Sequence, residues 1–145
     1  MARIKIEMPD RRPAFITRMP IMVQHINYGG HLGNDAVLAL THEARIRFLR
    51  QLGCSELDAF GSGLIMTDAA VVYQGEGFLG DTLEAAIWVE ALSSRGFELY
   101  YRFTCERAQT QHPIALVKTG MLCFDYNSRR PVHLSEGLRE QLLGA

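Results

Sequence analysis

"HINYGGHLGNDAVLALTHEARIRFL", His25 to Leu49, changes character halfway along. Its first eleven residues hold two His, two Asn, three Gly and one Asp, the composition of a loop. Asn34 or Asp35 then makes a good N-cap, and helical sequence runs to about Leu52, where Gly53 stops it. At 100° per residue, Ala36, Val37, Leu38, Ala39, Leu40, Ala44, Ile46, Phe48, Leu49 and Leu52 go nearly all the way round. A helix apolar on most sides is enclosed rather than laid on a surface. In a domain this small, one long enclosed helix implies a sheet wrapped around it.

The flanking sequence supplies that sheet. Upstream, "FITRMPIMVQ" alternates as a strand from Phe15 to Gln24, with Phe15, Thr17, Met19, Ile21 and Val23 on one face. Pro20 cannot donate to a ladder, which sends this strand to an edge or a bulge. Downstream, "LIMTDAAVVYQGE", "TLEAAIWVEAL", "GFELYYRFTCERA" and "PIALVKTGMLCFDY" read as four strands, β-branched and aromatic. Gly80-Asp81, "SSRG" and "QTQHP" are the turns between them. Ser135 caps a short last helix to Leu143. The order is strand, long helix, four strands, small helix, so the fold class is α+β, with an antiparallel five-stranded sheet. Residues 1–145 form one domain on this reading.

Bulk properties exclude several classes of function. The net charge is −1, with 48% hydrophobic and 21% charged residues, as in soluble globular proteins and without a basic excess for nucleic acid or an anionic membrane. No run of about 18 apolar residues is present, and the N-terminus lacks a signal-peptide core. Cys54, Cys105 and Cys123 have no CxxC spacing, so reduced thiols in a cytoplasmic protein are expected. HxH and HExxH spacings are absent, and so are Walker A and GxGxxG loops, so no metal site or nucleotide fingerprint is expected.

The loop "GGHLGND", the helix "HEARIRFLRQLG" and the segment "VVYQGEGFLGD" together resemble the hot-dog fold of acyl-CoA thioesterases, within it the 4-hydroxybenzoyl-CoA thioesterase-like group. The resemblance covers roughly Ile21 to Tyr126. It implies thioester hydrolysis, with CoA as part of the substrate rather than a cofactor. It also implies a homodimer or homotetramer with active sites at the subunit interface. Many members carry a catalytic Asp in the loop, where this chain has Asn27, and Gly33 replaces the first Asn of their Asn-Asn pair. A second branch uses a loop amide, a backbone N–H at the helix start and an acid about two turns on. Asn27, Asn34 and Glu43 resemble that set, with His42 at the more usual spacing of the acid.

Each residue has a chemical role open to it and a plainer one. Asn27 can orient water or the thioester carbonyl, or serve as a turn residue. The backbone N–H of Asn34, or of Asp35, suits an oxyanion, while Asn34 can also simply cap its helix. Glu43 leads as base or nucleophile; Arg47 at i+4 and Arg50 at i+7 could instead hold it in an ion pair. Asp68, inside an apolar run, is the rival carboxylate, unless it faces solvent or pairs with the helix. His31 and His25 are acid–base candidates or loop residues bonding backbone. For the CoA phosphates, Arg95, Arg102, Arg107, Lys118, Arg129 and Arg130 are available, each equally at home on a solvated face. A hot-dog hydratase or dehydratase, or a non-catalytic acyl-CoA-binding module, are the alternative functions.

Overall fold

The computed structural model describes all 145 residues. In chain order it places β1 (Phe15–Pro20), α1 (Asn34–Gln51), β2 (Gly63–Tyr73), β3 (Thr82–Glu90), β4 (Gly96–Arg107), β5 (Thr110–Asp125), β6 (Arg130–Pro131) and α2 (Glu136–Leu143). The strands form one antiparallel sheet in the order β1-β3-β4-β5-β2, and the two-residue β6 joins β5 as a short addition to the five expected strands. This is the α+β architecture that the order of elements implies.

The core lies between α1 and one face of the sheet. Strand β4 shows why: Phe97, Leu99, Tyr101, Phe103 and Cys105 are buried, while Glu98, Tyr100, Arg102, Thr104 and Glu106 alternate outward, as period two requires. From the helix, Ala36, Val37, Leu40, Thr41, Ala44, Arg45, Phe48 and Leu49 pack into it. Phe48 meets Phe15 of β1 with ring centroids 5.7 Å apart.

Three expectations are corrected. The first strand ends at Pro20, and Val23–His25 form a 3-10 turn instead of continuing it. Proline still sits on an edge strand, because β1 borders the sheet. The N-cap of α1 is Gly33, with Asn34 already the first helical residue. The helix is not enclosed on most sides either. Asn34, Asp35, Leu38, Ala39, His42, Glu43 and Arg50 form an exposed stripe, because a five-stranded sheet curves round only one flank of a helix. Gly53, in the left-handed region at φ 85°, ends the helix as expected, and Ser135 caps α2 by accepting from the Leu138 N–H at 3.2 Å.

Candidate active site

The loop before α1 is folded by its own backbone. Asn27 N–H donates to His31 O at 3.0 Å and Gly30 N–H to Asn27 O at 3.0 Å, with Gly30 in the left-handed region at φ 83°. Gly33 N–H donates to His25 O at 2.9 Å, pulling the chain back on itself just before the helix. A side chain at Gly33 would not fit easily, since its Cβ would lie 2.7 Å from Asp35 Oδ1 and 3.6 Å from Asn27 Cβ. Glycine at the N-cap therefore leaves the Asp35 carboxylate its place beside the helix start.

Four N–H groups at a helix start have no intrahelical acceptor. Here the Asp35 N–H is taken by Asn34 Oδ1 at 3.0 Å and the Ala36 N–H by Gly33 O at 3.1 Å. The Asn34 N–H is left open, at the positive end of an 18-residue helix,. Tyr73 at the end of β2 donates its hydroxyl to Asn34 O at 2.9 Å and fixes that peptide.

A pocket of about 480 Å³ opens at this point, lined by Asn27, His31, Leu32, Asn34, Tyr73, Gly75 and Glu76. Asn27 Oδ1 accepts from Gly29 N–H at 3.0 Å, so its amide NH₂ is the end free to donate outward. His31 Nδ1 lies 3.1 Å from Leu32 O. A carbonyl only accepts, so Nδ1 carries the proton and Nε2 keeps a lone pair. The pocket thus gathers two outward donors and one acceptor.

The proposed carboxylates lie elsewhere. Glu43 is exposed and accepts from Arg47 Nε at 2.8 Å, while Arg47 also donates to Thr17 Oγ1 at 3.1 Å and Arg18 O at 2.9 Å. It lines a separate groove of about 400 Å³ beside β1. Asp68 is exposed too, at a bulge in β2, and its carboxylate accepts from Thr67 Oγ1 at 2.8 Å. The apolar run around it is an edge strand rather than a buried one, which is why a carboxylate can stand there.

The basic residues are scattered. Arg102 lies over the Trp88 ring at 4.9 Å, and Lys118 pairs with Glu98 at 2.8 Å, both on the outer face of the sheet. Arg95 and Arg129 sit at the end of the sheet away from the pocket, in the turns before β4 and after β5. Arg107 is the one at the pocket end. It donates to Asp81 Oδ2 at 3.0 Å and to Glu76 O, and lies over the Phe78 ring at 5.0 Å.

Sequence reasoning missed Tyr73 and Glu76. Both lie in the segment "VVYQGEGFLGD", where only the Gly-Asp turn drew attention. That segment is keyed to the loop, since Leu32 N–H donates to Gly77 O at 2.7 Å. No group of three or more His, Cys, Asp or Glu side chains is placed to hold a metal ion.

One antiparallel sheet wrapped on a long helix, with a loop-lined pocket at the helix N-terminus, defines a hot-dog domain. The chain belongs to the thioesterase-like superfamily, whose model matches residues 21–142; that makes its class thioester hydrolase. No curated protein matches the sequence. Among solved structures, a hypothetical protein from Staphylococcus aureus in complex with CoA superposes with a TM-score of 0.81 at 16% identity, over 94% of this chain and 87% of that one. A 1,4-dihydroxy-2-naphthoyl-CoA thioesterase from Synechocystis gives 0.75 at 16% identity, over 89% and 95%. A gentisyl-coenzyme A thioesterase gives 0.75 at 12% identity, over 88% and 99%. At these identities the likeness is one of fold.

Proposed function

We propose that the protein hydrolyses an acyl-CoA thioester to the free acid and CoA. The observation that carries this is the open Asn34 N–H in a pocket shared with Asn27 and His31. A thioester carbonyl seated there points its oxygen at the helix N-terminus, where negative charge developing in the transition state is stabilised. The Asn27 amide donates to the same oxygen, and His31 Nε2 holds the attacking water. Family membership supports the hydrolase reading, and the CoA bound to the Staphylococcus aureus neighbour supports the choice of thioester.

The working unit on this proposal is at least a dimer. Strand β2 is an 11-residue edge with one charged residue, Asp68. Long uncharged edges pair with other chains unless something blunts them. The Asp68 carboxylate leans over Gly120 of β5, the neighbouring strand of its own sheet, which leaves the outer edge open beyond Leu64, whose N–H and O are taken by Glu56 O and the Tyr126 hydroxyl. In a pair joined along β2, Arg129, in the turn after β5, comes to the side of the partner's pocket and is our choice for the CoA phosphates.

The test is release of free thiol from a panel of aliphatic and aromatic acyl-CoAs. Turnover of at least one supports the reading; saturable binding with no thiol released sinks it and leaves a binding module. Hydration of an enoyl-CoA without hydrolysis would transfer the protein to the lyases.

A further inference from the structure

Glu76 is the one acidic side chain at a pocket otherwise lined by Asn27, His31, Leu32, Asn34, Tyr73 and Gly75. The hydrolysis described above gives it no task, yet its backbone is held on every side. A Cβ at Gly75 would collide with Pro113 O of β5, and one at Gly77 would lie 2.6 Å from Ile21 Cδ1 and 3.3 Å from Leu32 Cβ. The Gln74 and Gly75 N–H groups both donate to Ile114 O, at 2.9 and 3.2 Å. Arg107 donates to Glu76 O itself. The chain between the two glycines is therefore fixed, and what it presents at the pocket is the Glu76 side chain.

That carboxylate is unbalanced within the chain. It takes part in none of the ion pairs. Arg107, bonded to the Glu76 carbonyl, sets its own charge against Asp81 at 3.0 Å. Asn27, Asn34 and Tyr73 are neutral, and His31 is neutral in the tautomer that keeps Nε2 as an acceptor,. A negative charge thus shares a small pocket with an N–H placed for an oxyanion. Like charges at such range repel, the more so as substrate displaces water. An uncharged acyl group leaves that repulsion in place in the transition state, and an anionic one adds to it. A positive charge on the acyl group offsets it.

The rest of the lining fits the same kind of group. Tyr73 stands 53% exposed at this pocket, and the face of a tyrosine ring attracts a cation. Its hydroxyl bond to Asn34 O at 2.9 Å holds the ring in place. A long alkyl chain finds little to lie against, since Leu32 and Tyr73 are the only apolar side chains in the lining. Arg129, which the proposed dimer brings alongside, is matched there by the CoA phosphates.

We propose that Glu76 selects short acyl groups that carry a positive charge, a protonated or quaternary amine; this rests on the hydrolase reading above and names its substrate class. The thioester carbonyl sits against the Asn34 N–H and the acyl chain runs toward Glu76. Its cationic end lies between the Glu76 carboxylate and the Tyr73 ring. Hydrolysis then leaves a zwitterion, whose new carboxylate is repelled by Glu76 and departs. Glu76 is a specificity-determining residue in this scheme and takes no proton.

The test gives the full chain β-alanyl-CoA, butyryl-CoA and malonyl-CoA, which set an ammonium, a methyl and a carboxylate at nearly the same distance from the thioester. In wild type, kcat/KM should fall by about tenfold at each step in that order, the scale of one charge pair partly shielded by water. Glu76→Gln, with an unchanged melting temperature, should bring the three within about threefold, and Glu76→Lys should invert their order. Equal kcat/KM for the three in wild type, or an order that survives in Glu76→Gln, overturns the proposal and leaves the hydrolase reading standing. A loss of at least about a hundredfold on all three in Glu76→Gln also overturns it, because that is the mark of a base and not of a selector. If wild type cleaves none of these and nothing in the wider panel, the hydrolase reading falls. Calorimetric affinities for the same three thioesters then decide on Glu76 alone: binding in the stated order upholds selection by charge, and equal binding overturns it.

Discussion

Gly33 shows how much a single residue decides at this site. Its backbone, at φ −70° and ψ 147°, is open to any residue, so the need for glycine comes from space and not from conformation. Gly33→Ala places a methyl 2.7 Å from Asp35 Oδ1, so the exposed Asp35 carboxylate beside the Asn34 N–H must turn aside. The expected outcome is a kcat lowered by well under the hundredfold to thousandfold that one oxyanion donor is worth, with a melting temperature within a few degrees of wild type; steady-state kinetics and thermal unfolding check both. Glu43→Ala is the contrasting case. An exposed i,i+4 pair with Arg47 contributes about 0.3–0.5 kcal/mol, so kcat should stay within a few-fold of wild type. A large, selective loss of kcat would give Glu43 the role of base despite its place outside the pocket. Asn27, His31 and Asn34 were legible in the sequence because a loop and the helix it enters are neighbours along the chain. Tyr73 was not, since it is 39 positions from Asn34 and meets it only once β2 has joined the sheet. Asp68 misled because an apolar run reads the same in an edge strand as in a central one.

At the scale of elements, the segment Gln74–Asp81 joins the pocket to the sheet. Arg107 at the end of β4 grips it twice, at Asp81 and at Glu76 O, and Asp81 Oδ2 also accepts from Phe78 N–H at 2.9 Å. Gly77 in turn holds Leu32, beside His31. Arg107→Ala should cost about 1 kcal/mol of stability, as for a partly exposed ion pair with good geometry. Its more telling effect should be faster hydrogen exchange at Gln74–Asp81 and at the Leu32 N–H, with the core of β4 still protected. Exchange unchanged at Leu32 would show that the loop holds its place without the arginine. Strand and helix identities here follow from local periodicity, which one chain displays openly. The exposed stripe of α1 does not, because it depends on how far the sheet curves round the helix, and that is set by contacts distant in sequence.

The whole molecule adds two consequences. Tyr101 is fully buried and bonded to Thr119 Oγ1 at 3.0 Å. Burial pushes its pKa up, against the opposing pull of Arg45 and Thr119. A group whose folded pKa lies above its unfolded one stabilises the fold fully below the unfolded value, and that share is lost as pH rises through the folded one. Stability should therefore fall on the alkaline side of the ordinary tyrosine range, and Tyr101→Phe should flatten the fall; urea midpoints measured across that range would show it. The second consequence concerns assembly. Met66 and Tyr73 on β2 and Leu38 on α1 stand 45%, 53% and 40% exposed in a single chain, and Tyr73 lines the pocket. One protomer leaves these side chains uncovered while its core is complete, so folding and assembly should separate. Met66→Lys with Ala69→Lys puts two charges on the edge without touching the core, Asn27 or Asn34. On the proposed dimer the expected result is a monomer by light scattering, with cooperative unfolding retained and thioesterase activity lost. A fully active monomer would show that the pocket is complete within one chain.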